Sequence, residues 1–211
     1  MNINYTSLLE EVLPFLAADP SEPVTLAAIR YAVTTFCAGS WAWQFVGDPL
    51  DVSAGEAVCD VEIPPGSELV AVLSVSLDGK VLIPRSLDWL NSEYPNWQAL
   101  QGEPRYFTQS DAGRVVLVPT PTSHRPGALS MTRVLQPAAS SSSFPQWIFE
   151  KYRYALADGA LSRLLCMPGQ PWSDVREGSV RRDRFERAIA DARAAAVGAF
   201  SRAPLRTRPH Y

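Results

Sequence analysis

The side chains with which this chain could do chemistry are few and scattered. Of its two histidines, His124 lies in the loop TSHRPG and His210 is penultimate. Both read as solvated loop residues. A histidine-dependent triad needs its base held by a third group, so these two positions argue against one. The sequence has no HExxH, GxSxG, phosphate-binding glycine loop or GxGxxG. Cys37, Cys59 and Cys166 are odd in number and form no CxxC pair, which fits free thiols in a reducing compartment and neither a disulfide nor a metal site. The adjacent carboxylates Glu10 and Glu11, and the pair Asp60 and Glu62, read as solvated faces. The six tryptophans (41, 43, 89, 97, 147 and 172) suit packing in a core or interface; a sugar-reading surface would need them exposed and aligned. No catalytic residue, cofactor or metal is expected.

Arginine is the residue type that does stand out. From Arg176 onward nine arginines face four acidic residues, a net +5, while the first 175 residues carry 10 basic and 18 acidic groups, a net −8. An acidic body with a basic C-terminal arm points to an interaction tail. Arg181, Arg182, Arg184 and Arg187 form a basic helix face, with Glu177–Arg181 and Asp183–Arg187 in the favourable four-residue order. That face is either solvated or in contact with an acidic partner, protein or nucleic acid. Aromatic residues do not interleave with the arginines, which weakens a nucleic-acid reading. The end of the chain, SRAPLRTRPHY, alternates Arg202, Arg206 and Arg208 with Pro204, Leu205, Pro209 and Tyr211. Proline keeps a backbone extended and lowers the entropy lost on docking, and arginine and tyrosine are common interface anchors. Residues 201–211 therefore read as a docking tail.

Between body and arm stands CMPGQPWSD, residues 166–174. Pro168 and Gly169 stop one helix, and Gly169 can take the left-handed conformation of a sharp exit. Pro171 holds the loop extended, Trp172 can fold back onto the helices, and Ser173 or Asp174 caps the next helix.

The elements that must position these residues follow from pattern. Residues 6–18 predict a short helix kinked at Pro14, and 24–38 a second helix. From about residue 43 to 136 the signal is strand and turn: 57–63, 69–77, a hairpin through Asp78-Gly79, 105–109 and 114–118 around SDAG, and 128–135. Residues 86–97 predict one or two helical turns. A serine-rich loop leads to a helix over 145–167, and another runs from 173 to 200. With 46% apolar residues the chain can bury a real core. The expected fold is α+β: a helical bundle from residues 1–42 and 144–200, an inserted small antiparallel β-sandwich or barrel over 43–143, and the extended tail 201–211. The N-terminus lacks a basic leader region, and no apolar run approaches the roughly 18 residues of a membrane span.

The run ALADGALSRLLCMPGQPWSD, the following RRDRFERAIADARAAA and the short Arg/Pro tail resemble the head–tail adaptor (connector) proteins of tailed bacteriophages. The likeness is closest over residues 154–211 and looser before them. It implies a non-catalytic virion protein at the neck, assembled in the bacterial host cytoplasm. It implies a ring of about twelve copies beneath the portal protein, joined to a downstream tail or nozzle protein. Genomic DNA would pass through without sequence-specific binding, and no membrane is involved. An acidic body suits such a conduit, because like charge repels the phosphate backbone. A tail tubular or tail-completion neck protein, and a glycan-binding β-sandwich, are the competing readings.

Overall fold

The structure, a computed structural model, describes residues 1–111 and 113–198. The chain divides into two compact units, one of residues 1–43 with those from 136 on, the other Gln44–Leu135.

In the first unit the chain opens with a strand, β1 (Asn2–Asn4), and continues through a 3₁₀ turn, a single α-helical turn α1 (Leu9–Val12) and a second 3₁₀ turn containing Pro14. The short helix expected over 6–18, kinked at Pro14, is thus a series of turns, the last of them containing Pro14. Helix α2 (Glu22–Ser40) carries Pro23 in its first turn, where the missing N–H costs nothing. Three later elements complete the unit: β11 (Ser143–Pro145), α4 (Gln146–Leu165) and α5 (Val175–Val197). β1 and β11 form a two-stranded antiparallel ribbon with Ile3 opposite Phe144.

Ala28, Ile29, Val33 and Phe36 of α2 bury against Leu156, Ala160, Leu161 and Leu164 of α4, with Phe185 and Ala192 of α5. Tyr5, Leu8, Val12 and Phe144 bring the ribbon and the N-terminal turns into the same core. The helices approach closely because small residues face the contacts. A Cβ on Gly159 would lie 2.7–2.9 Å from three ring atoms of Phe185, and one on Gly178 would lie 2.7 Å from Cys166 Sγ.

The second unit holds two sheets. One runs β2 (Gln44–Val46), β10 (Arg125–Pro137), β5 (Ser67–Leu77) and β6 (Lys80–Val81), with β3 (Leu50–Val52) also on β10. The other runs β4 (Val58–Asp60), β9 (Arg114–Val118), β8 (Tyr106–Asp111) and β7 (Ile83–Pro84). Asp78 and Gly79 both take positive φ (49° and 77°), which closes the expected two-residue hairpin with Leu77 opposite Lys80. Val75, Leu77, Leu129 and Met131 pack with Phe107, Val115 and Leu117. On its other face β9 sets Val116 and Val118 against Leu90 of α3 (Leu87–Glu93) and Trp97. Apolar cover on both faces explains the unbroken run VVLV.

A helical bundle from the N- and C-terminal helices carrying a small antiparallel module is therefore not the fold. Among the described residues the chain is α+β with strands the more numerous elements: eleven in three sheets, against five α-helices. The ribbon is built into the unit that was expected to be helical only. β7 and β8 are parallel. The pairing of residue 3 with residue 144 is a long-range event that no local pattern announces.

Gly159→Ala should destabilise the protein by about 1–3 kcal/mol, because the Phe185 ring cannot stay where it is. Thermal unfolding should show a drop in Tm of roughly 2–10 °C; an unchanged Tm would contradict the close packing.

Candidate interface at the helix break and the arginine face

The turn between α4 and α5 is tied at its base. The Leu165 carbonyl, at the open end of α4, accepts from the Asp174 backbone N–H (2.9 Å) and from Ser173 Oγ (3.2 Å). Gly169 takes φ +72° in the bend, and Ser173 N–H closes onto the Gln170 carbonyl (3.0 Å). Of the two candidate caps, Asp174 takes the role: its Oδ1 accepts from Glu177 N–H (3.0 Å), with Glu177 in the first turn to favour the helix dipole. Trp172 and Met167 pack onto the helical core, and Trp172 Nε1 is buried with no acceptor. Pro168, Gly169, Pro171 and Trp172 thus lie in one short, cross-braced turn.

The arginines of α5 divide by function. Arg181 is mostly covered; its guanidinium donates to Asp158 on α4 (2.7 Å) and to Glu177 (2.8 Å), and lies over the Phe15 ring. It is a brace, not a free cation. Arg193, which pattern alone left undistinguished, donates to the Gly39 carbonyl (3.2 Å) at the end of α2 and stacks on Trp41, 3.7 Å from its ring centre. Trp41 carries φ +54°, an unusual value for a bulky residue, at the α2 C-cap. Arg182, Arg184 and Arg187 are exposed. Arg187 donates to the Asp183 carbonyl, and Arg182 reaches Cys166 Sγ at 3.6 Å. Beside Arg182 a surface groove adds Arg163, which lies 4.3 Å from the centre of the Tyr31 ring. Arg163 and Tyr31 belong to this basic surface and were missed, since they sit on two other helices. The tail residues Arg202, Pro204, Leu205, Arg206, Arg208, Pro209 and Tyr211 lie outside the described residues, as does His210.

The remaining candidates serve structure. Glu11 faces Arg153, and Asp60 pairs with Arg114. His124 is exposed in its loop. No group of three or more metal-ligating side chains occurs among the described residues, and none of their helices is long and apolar enough to cross a membrane. Burial pushes the Cys37 thiol up to about 12. Burial first, then the negative charge of Asp60 and Glu56, pushes Cys59 up to about 11. Of the tryptophans Trp97 is buried, four are half-buried and Trp147 is exposed.

The chain belongs to the family described as SU10 adaptor protein, whose family model matches residues 3–208. It is a phage head–tail adaptor, a structural component of the virion, in a family that associates with portal or tail components in general and is generally without enzymatic activity. Among curated proteins none is significantly similar to it.

Arg181→Ala should cost about 2 kcal/mol, by stripping the covered Asp158 carboxylate of its donor. Arg184→Ala and Arg187→Ala should stay within about 0.5 kcal/mol of the parent. Urea unfolding of the three variants checks this; equal losses would contradict the division. The thiol of Cys37 should resist alkylation at pH 8 in the native protein and react in denaturant. Its raised value also stabilises the fold fully below the unfolded thiol value near 9, and that contribution should be lost as pH climbs toward about 12.

Proposed function

We propose that this adaptor forms a ring of about twelve copies beneath the portal protein and joins the capsid to a downstream tail or nozzle protein, with the genome passing through the ring. The observation that carries the reading is the cross-braced α4–α5 turn. It fixes the course of a helix whose exposed arginines run toward the Arg/Pro tail. In a closed ring every subunit repeats that angle, and an error would accumulate around the circle. Residues 201–211 are the docking tail for the portal. Arg182, Arg184 and Arg187 support the same contact with acidic groups. Residues 1–42 and 144–200 act as the domain that bears on the portal, and the inserted residues 43–143 face neighbouring copies and the tail. The acidic charge of the chain before residue 176 suits a conduit that DNA must not adhere to. The complex forms in the host cytoplasm as the particle is assembled.

Purified protein mixed with portal rings should add a stoichiometric rim, seen by light scattering and negative-stain microscopy. Removal of residues 201–211 should abolish binding and leave circular dichroism and Tm unchanged. Undiminished binding by the shortened chain would place the docking site elsewhere. No binding by either form would favour a neck protein further downstream.

A further inference from the structure

The β unit leaves a long strand edge open. β5 has eleven residues, but on its outer side β6 pairs only with Ser76 and Leu77. Leu82 N–H then donates to the Val75 carbonyl on that side (2.8 Å), while Asp78 N–H donates to Ala128 on the opposite side (2.9 Å). The alternation of a ladder therefore turns the backbone groups of Ala71 and Leu73 outward, with the outer groups of Val75. Among the described residues no strand lies along them. The edge of β8 is open as well beyond Phe107, where β7 ends. Between the two edges runs an open cleft of about 590 Å³, with Val72 on one wall, residues 107–109 on the other and residues 84–88 at one end. Arg85 lines it. Its guanidinium is stacked 4.3 Å from the centre of the Trp89 ring, and its Nε is buried without an acceptor.

An apolar, unpaired edge of this length is an aggregation hazard in a protein that stays alone. The same unit carries an unlike edge. β4 ends its own sheet; Ala57 and Val61 bond inward to Leu117 and Gly113, so Val58 and Asp60 turn their backbone groups outward. An open groove lies along them, Val58 is half exposed, and the segment EAVCDVE (56–62) carries three acidic residues and no basic one.

We propose that the β4 edge of one copy, residues 56–62, adds to the β5 edge of the next, at Leu69–Leu73, with an acidic side chain of the incoming strand accepting from Arg85. The inference rests on the ring reading and names the contact that closes the ring. Pairing of unlike edges is head-to-tail, and any open assembly retains one free edge of each kind until the circle closes. Asp88 also lines the cleft and limits how many acidic groups can enter.

The test is hydrogen exchange, followed by peptide mass spectrometry, on the full chain as a monomer and as a self-assembled or portal-templated ring. Peptides covering 69–74 and 56–62 should both gain protection in the ring. Ala71→Pro removes an N–H that the ladder alternation turns to the open edge; it should leave Tm nearly unchanged and weaken ring formation roughly tenfold or more. Val70→Pro, whose N–H faces β10, should instead disrupt the fold. Rings in which 69–74 exchanges as in the monomer would overturn this inference and leave the ring reading standing. Protection of 69–74 without 56–62 would overturn the choice of strand. A chain that forms no ring under either condition would overturn both.

Discussion

The close approach of α5 to the rest of its unit is the constraint on which the other features depend. Phe185 fits against α4 only because residue 159 has no side chain, and Cys166 sits against α5 only because residue 178 has none. Once the helices are that near, Arg181 can reach Asp158, and Arg193 can reach the exposed carbonyl end of α2. The turn at 166–174 then has one workable course. Its base is closed by two donors to a single carbonyl, and its exit is capped by Asp174. Packing, electrostatics and backbone geometry all fix the same angle.

That angle separates two kinds of arginine. Those facing α4 and α2 are consumed by acceptors and aromatic rings inside the unit. Those facing away, Arg182, Arg184 and Arg187, are exposed, with Asp183 and Glu186 beside Arg187 and with Arg163 near Arg182.

Much of this was legible in the sequence, and what was not has a common physical cause. The Asp78-Gly79 hairpin and the cap at Asp174 are local: each depends on residues within a few positions, so a short window contains the whole interaction. The split between Arg181 and Arg184 is not local, because the deciding carboxylate lies 23 residues away on another helix. The ribbon of β1 with β11 joins the first residues to the 140s, and its strands are only three residues long. The bundle expectation failed there, since helical periodicity marks helices well and says nothing about strands that cross the chain. The expected docking tail, residues 201–211, was read from composition alone and lies outside the described residues.

The adaptor account stands or falls on position within the particle. An electron-microscopy reconstruction of the isolated neck, with this chain built into density, measures that directly. The account predicts a closed ring of this chain touching the portal on one side and a tail protein on the other, with residues 201–211 seated in the portal. Density placing the chain away from the portal, or as isolated copies with no ring, would contradict it.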